Sequence, residues 1–472
     1  MNWMTLSLSL VPIAALVVAL SVFKAKAYKA TAGAAGLALV LALAFFRSAF
    51  PATEILPTVA DGVSFALYPI CLVVLAALFV YSLTVESGAL KKIREGLSEV
   101  SPDPRVLAIL VVWGFGNFME GMAGFGTAVA IPAAILVGVG FDPLKSVLIC
   151  LVANTTPTAF GSVGVPLVTL SKVGGTDLAT LAKTAVFLQL FVTALGPFLI
   201  LLVLDGWKGL RGAVRLALMA DAAFLVPWFL SARLLGPELP DILGGLSVLI
   251  VVSLWERKGR LACDLKAQVK AWAPFGFVAL FLGVAALLPA AAKRYAPSGV
   301  LILLAGFLGG VSQGLSFGRM CRVLKKTLVS YWTAFATIVF VLVLARVMTV
   351  SGMVATLADS LVAATGTAYP FFAPVVGALG GFVTGSGTSA CVLFGPLQAG
   401  AAAKLGVAPD LLAAANVMGA GIGKMICPQS VAIGTAAALV ADRAGDAFKR
   451  MLPWFFAVLL LACLVVHISA QW

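Results

Sequence analysis

Two long apolar stretches of this chain carry the same punctuation. With Ser87-Gly88 laid on Ser351-Gly352, Gly116 falls on Gly380, Phe118 on Phe382, Gly121 on Gly385 and Pro132 on Pro396. After a small shortening, Asn154 falls on Asn416, Gly161 on Gly423 and Pro166 on Pro428. Two unrelated apolar helices would share Leu and Ala; sharing Gly, Pro and Asn means sharing breaks. Breaks inside apolar segments are tolerated only where protein or a water-filled cavity covers the freed backbone groups. The repeat therefore predicts a chain folded around an internal polar site, the pattern of a secondary transporter's binding core.

The background of these breaks is that of a bilayer. The chain is 62% hydrophobic and 11% charged, with mean hydropathy +1.10, whereas soluble domains carry about 25% charged residues. Windows such as 327–350 and 451–468 reach the roughly 20 apolar residues that cross a bilayer as a helix. The first run, 6–23, has no basic residue before it and Lys24, Lys26 and Lys29 after it. That order predicts an uncleaved first helix with its N-terminus outside.

Net charge +13 raises nucleic acid or an anionic surface as a partner, and its distribution decides against both. Most Lys and Arg fall in loops 24–29, 91–105, 208–215, 257–270, 319–326 and 443–450, with Lys145 on the same side. The opposite side holds Arg47, Lys172, Lys183, Arg233, Lys293, Arg294 and Lys404. This is positive-inside bias, so the basic balance reports topology and no nucleic acid is implied. The 7 cysteines form no C-x-x-C pair, so neither a disulfide framework nor a metal site is expected. The single histidine, His467, ends the last helix, and one histidine builds neither a His-rich metal centre nor a Ser-His-Asp triad. No cofactor is implied.

Simple crossings are expected near 6–23, 30–47, 59–85, 146–170, 183–204, 212–235, 241–255, 273–290, 298–316, 327–350, 410–440 and 451–469, about 12 transmembrane helices with both termini outside. Two apolar stretches remain, 105–141 and 370–404, each interrupted by glycines: Gly114, Gly116, Gly121, Gly124 and Gly126 in one, Gly377, Gly380, Gly381, Gly385 and Gly387 in the other. Glycine costs a helix interior roughly 1 kcal/mol relative to alanine, so both read as re-entrant hairpins. An odd number of crossings lies between them, which makes the repeat inverted. Asn154, Thr155, Thr156 and Pro157 break the segment 146–170; Asn416, Gly419, Gly421, Gly423 and Pro428 break 410–440. The predicted architecture is all-α and polytopic, with two re-entrant hairpins and two broken helices. Residues 1–58 are N-terminal scaffold helices, 59–204 the first repeat, 205–316 linking helices and 327–472 the second repeat.

Broken helices expose free N–H groups at one end and free carbonyls at the other, and N-terminal ends favour an anion. The first tip offers Gly124, Phe125, Gly126 and Thr127, the second Ser386, Gly387, Thr388 and Ser389, and the broken helices Asn154, Thr155, Thr156 and Asn416. Together they would cradle a small carboxylate, although the same glycines also suit helix packing alone. Glu120 and Lys424 are the charges nearest the breaks. Each would cost roughly 2.5–3.5 kcal/mol at the centre of a helix in lipid, so each is a functional candidate. Glu120 is the candidate proton carrier; Lys424 would hold the substrate carboxylate or pair with Glu120. Arg346 reads as an interfacial anchor, and Asp61, Asp205 and Asp221 lie near crossing ends.

Three segments carry a family resemblance: Glu120-Gly121-Met122-Ala123-Gly124-Phe125-Gly126, Asn154-Thr155-Thr156-Pro157-Thr158-Ala159-Phe160-Gly161 and Gly423-Lys424-Met425-Ile426-Cys427-Pro428-Gln429-Ser430. They resemble hallmark segments of the bacterial L-lactate permease family, over essentially the whole chain. The resemblance implies proton-coupled transport of 2-hydroxymonocarboxylates (L-lactate, with D-lactate or glycolate) across the bacterial inner membrane, and the inverted-repeat fold of the wider ion-transporter group. One segment departs: where the family resembles T-G-S-D-T-S-S-N, this chain has Gly387 for the acid and Cys391 for the amide. Partners are then a small monocarboxylate, H+ and the lipid bilayer, with a homodimer as a further possibility. A rival reading is sodium coupling with another organic anion, since Asn and Thr oxygens suit Na+. An enzyme would need a nucleophile with a base, paired carboxylates or metal ligands around Glu120, and a channel a ring of charges or a filter; neither pattern is present.

Overall fold

The structure, a computed structural model, describes residues 3–124, 126–257, 265–288 and 297–471, and no strand occurs among them. Phe125, Cys263, Lys293 and Arg294 lie outside the described residues. The chain is an all-α polytopic membrane protein. Nine helical runs are long and apolar enough to cross a bilayer among the described residues, ten if one bent pair counts as a span.

Helices α1 (Trp3–Ser21) and α2 (Ala27–Phe45) lead into α3 (Ile55–Phe65) and α4 (Leu72–Glu86), which are separated by a π-helical kink at Ala66–Cys71. The expected single crossing 59–85 is therefore bent at Tyr68, where the residue before a proline leaves the helical region for extended backbone. A left-handed Gly88 starts α5 (Ala89–Ser98). Next come α6 (Pro104–Ala108), a π-helical stretch Ile109–Gly116 and α7 (Asn117–Met122). Helix α8 (Thr127–Gly138) starts at a left-handed Gly126 and is followed by α9 (Pro143–Ala153), a 3-10 turn Pro157–Ala159 and α10 (Gly161–Gly174). Asp103, Asp142 and Asp177 accept the first-turn N–H groups of Arg105, Lys145 and Thr180, which fixes the starts of α6, α9 and α11 (Leu178–Thr193).

Helix α12 (Gly196–Leu234) runs through the loop expected at 208–215, interrupted only at Gly206 and Ala213. It is followed by α13 (Pro240–Arg257), α14 (Leu265–Leu287), α15 (Ser298–Ser312) and the amphipathic α16 (Phe317–Ser330). Helix α17 (Trp332–Val350) ends at a left-handed Gly352 that starts α18 (Met353–Thr365), as α4 ends at Gly88 before α5. Helices α19 (Tyr369–Thr384) and α20 (Gly387–Leu405) pack against each other across Gly385-Ser386. Helices α21 (Pro409–Lys424) and α22 (Pro428–Ala437) form the bent pair, 43° apart, before α23 (Ala444–Ser469).

Several expected breaks are not breaks. Helix α21 continues through Asn416, Gly419, Gly421 and Gly423, and stops only at Met425–Cys427. The glycines serve contact: a Cβ on Gly377 or Gly381 would strike the Asn416 or Ala420 carbonyl, and one on Gly419 or Gly423 the Pro374 or Ala378 carbonyl. Helices α19 and α21 thus meet backbone to backbone, the small-residue packing favoured in lipid. Likewise Gly114 and Gly116 stay helical, and the first tip turns only beyond Met122. Outside this core, α2 packs on α17, and α4 and α14 on α15.

Candidate functional site

The tips and the broken helices converge. A cavity of about 100 Å³ is bounded by Gly126 from the first tip, Thr384 to Ser389 from the second, Thr158, Gly161 and Ser162 from the first broken helix, and Lys424, Gln429 and Ser430 from the second. This is several times the about 10–15 Å³ that admits one water. Ala27, Ala334, Thr337 and Ile338 of α2 and α17 close the remaining side. A wider cavity of about 750 Å³ shares Ala27, Ala334, Thr337, Thr384 and Gln429 and reaches Lys24 and Lys26.

Local sequence directs backbone donors here. Helices α8, α10, α20 and α22 all begin at or beside the cavity, and the first N–H groups of a helix have no intrahelical acceptor. Ser386 caps α20, its Oγ accepting the Ser389 N–H at 3.3 Å, while Thr384 Oγ1 accepts the Ser386 N–H at 3.2 Å. Helix α10 opens in left-handed backbone, with φ of 47° at Ser162, 58° at Val163 and 73° at Gly164. That turn presents Ser162 to the first tip, where its Oγ donates to the Ala123 carbonyl at 3.3 Å and lies against Gly124. The right-handed starts of α8, α20 and α22 bring partial positive charge to one cavity, an arrangement that favours an anion.

Its charges are buried. Lys424 Nζ donates to Glu120 Oε1 at 2.7 Å, with the side chains 6% and 4% exposed. Glu120 Oε2 is buried without a partner. A Cβ on Gly161 would lie 3.1 Å from Glu120 Cγ, so glycine there lets the broken helix seat against the carboxylate. Behind the pair lies a second acid, Asp241. It is fully buried, Trp228 Nε1 donates to its Oδ1 at 3.0 Å, and Oδ2 has no partner. Among the described residues no group of three or more His, Cys, Asp or Glu is arranged to hold a metal ion.

Of the residues expected from sequence, Glu120, Gly126, Ser386, Gly387, Thr388, Ser389 and Lys424 line the cavity. Gly124 and Thr127 stand just behind it, Thr127 Oγ1 donating to the Gly124 carbonyl at 2.7 Å. Asn154, Thr155 and Thr156 are buried in the first break but off the cavity, with Asn154 Oδ1 and Thr156 Oγ1 unpartnered. Asn416 sits mid-helix, its Oδ1 facing Gln398 Nε2 at 3.4 Å, in a network where the Tyr369 hydroxyl donates to Gln398 Oε1 at 3.0 Å. Arg346 pairs with Asp61 at the exposed surface. Sequence reasoning missed Thr158, Ser162, Gln429, Ser430 and Asp241. Thr158, Gln429 and Ser430 lie inside the quoted segments and Ser162 directly follows one; Asp241 follows Pro240 at a helix start, where an acid ordinarily signals a cap.

The chain matches known proteins along its length. A family model described as L-lactate permease matches residues 6–296 and 291–471. An L-lactate permease of Streptococcus iniae is 38% identical over 86% of this chain and 93% of its own length. The glycolate permease GlcA of Escherichia coli (strain K12) is 32% identical over 93% of this chain and 91% of its own. Among solved structures, the YdaH transporter of Alcanivorax borkumensis shares the fold, with a TM-score of 0.52 at 16% identity over 89% of each chain.

Proposed function

The chain belongs to the L-lactate permease family, and we propose that it carries small 2-hydroxymonocarboxylates, L-lactate and glycolate, together with a proton across the bacterial inner membrane. The observation that carries this reading is the Lys424–Glu120 pair in a cavity ringed by helix N-termini. An arriving carboxylate is drawn by the helix ends and competes with Glu120 for Lys424. Once Lys424 turns to the substrate, the Glu120 carboxylate is buried without a counter-charge and accepts a proton. One anion and one proton enter together, and the charge of the site is conserved. Hydroxyls of Ser386, Thr388, Ser389 and Ser430 surround the same space and suit the substrate's 2-hydroxyl. In this reading the hairpins 105–141 and 370–404 are re-entrant halves of an inverted repeat, moving with the broken helices past a scaffold that includes α2 and α17. The cavity reaching Lys24 and Lys26 is the route to the cytoplasm, on the side the positive loops define.

The test is uptake of labelled L-lactate and glycolate into proteoliposomes under an imposed pH gradient, in choline and in Na+ media. Accumulation that follows the gradient in choline is expected. Uptake indifferent to the gradient, or dependent on Na+, overturns proton coupling; transport of neither acid overturns the substrate class. Glu120→Gln is expected to abolish the response to the gradient.

A further inference from the structure

We propose that Asp241 is the second half of the coupling-proton site, so that the proton binds a Glu120–Asp241 carboxylate pair and not Glu120 alone; this rests on the proton-coupled reading above. Asp241 sits in the first turn of α13, where an acid usually caps the helix or faces water. Here it does neither. It is 0% exposed, its Oδ1 takes the Trp228 indole N–H, and its Oδ2 is buried without a partner.

The approach of the two acids is built in. Gly244 and Gly245 bring α13 close to α12 and α7, and a Cβ on Gly121, the residue after Glu120, would come within 2.8 Å of Asp241 Cβ. Glu120 also keeps one oxygen buried and unpartnered. The charged groups that act on Asp241 are Glu120 on α7 and Lys424 on α21, whereas Asp221 on α12 lies seven residues before Trp228 and is buried apart from them; the π-helical stretch packed on α13 has no titratable group. Two buried carboxylates thus have one ammonium near them, Lys424, and it bonds Glu120 alone. A surplus buried negative charge is disfavoured, and a carboxyl sheds it by taking a proton. When a substrate anion claims Lys424, the surplus grows by one and the pair takes up one further proton. In that step H+ from water on the more acidic side adds to a carboxylate oxygen of the pair, and it leaves from the same oxygen to the other side.

Asp241 is also linked through Trp228 to the first broken helix. Trp228, held by Asp241, packs edge-on against Phe160 at 5.4 Å, and Phe160 immediately precedes Gly161 at the start of α10. The protonation of Asp241 therefore bears on the segment that seats Glu120.

The experiment uses the full-length protein in proteoliposomes with labelled L-lactate, comparing accumulation driven by a pH gradient with equilibrium counterflow, which moves no net proton. For D241N the ratio of driven accumulation to counterflow is expected to fall by about tenfold or more, and D241E, which keeps a carboxylate, to restore it. If D241N holds the wild-type ratio, Asp241 is outside the proton site while the symport reading stands. If the wild type ignores the gradient or needs Na+, the symport reading fails and this inference with it. Should D241N not fold, W228F decides: loss of the indole donor is expected to move the pH profile of driven uptake by about half a unit or more, and an unmoved profile overturns the proposal.

Discussion

Removing Lys424 tests the central ion pair most directly. In Lys424→Met the partner of Glu120 Oε1 disappears, and because Oε2 already has none, the carboxylate is left with both oxygens unbonded in a site where its side chain is 4% exposed. Breaking a buried pair from one side costs about 3–5 kcal/mol, since the remaining charge has neither water nor counter-ion. Glu120→Gln is milder, because an amide oxygen still accepts from Lys424, and about 2 kcal/mol is expected from the lost charge. The double variant removes both charges and should lie closer to the wild type than Lys424→Met, giving a coupling energy of about 2–3 kcal/mol. Unfolding of purified protein in detergent, followed through the 9 tryptophans, measures all four corners of the cycle. Energies that add within about 0.5 kcal/mol would refute the reasoning.

Three further outcomes follow from particular contacts. A side chain at Gly387 would strike Thr158 Cγ2, whose rotamer is held by a 3.2 Å bond from Oγ1 to the Asn154 carbonyl. G387D is therefore expected to lose L-lactate uptake, and G387D/T158S to regain a substantial part of it. At the α19–α21 contact Gly381→Ala drives a methyl into the Ala420 carbonyl. With no side chain able to yield, a loss of about 3 kcal/mol is expected, read as a lowered melting temperature in detergent. At the start of α6, burial pushes the Asp103 carboxyl up, but the bonds it accepts from the Arg105 side chain and N–H, with the Arg105 charge, outweigh that and hold it below the usual carboxylate range. A depressed value means stability present above about pH 4 and lost as pH falls through the folded value, so D103N should flatten the acid limb of the melting profile.

The fold class is legible in sequence because it depends on local chemistry: apolar length sets the crossings, and Gly, Pro and Asn act on the backbone where they stand. The cavity is legible for the same reason, since Gly126 and the run from Ser386 to Ser389 lie at turns that the glycine clusters announce. Which glycine turns and which packs is not legible. Gly419 and Gly423 look like breaks until α19 is laid against α21, and only that neighbour explains why α21 stays helical through them. Asn416, matched to Asn154 in the repeat, keeps its residue type but not its place: one caps a helix, the other sits inside one. Asp241 is the clearest omission. Its local sequence is that of an ordinary helix start, and only the approach of Gly121 and Trp228 gives it an environment.

The left-handed turn at Ser162 and Val163 has a consequence for where the empty carrier waits. L-residues in that backbone are disfavoured by roughly 1–2 kcal/mol each, and 1.4 kcal/mol is about tenfold in a population. In the transport cycle proposed above, a turn that costs this much on one side of the membrane and less on the other would act as a spring that sets the resting side. Glycine at 163 would slacken it, because glycine bears φ of 58° without penalty. Val163→Gly should leave the order of preference among substrates intact and change the rate at which unloaded carriers reset. Net uptake would then change relative to exchange, a difference that arises from the idle half of the cycle alone.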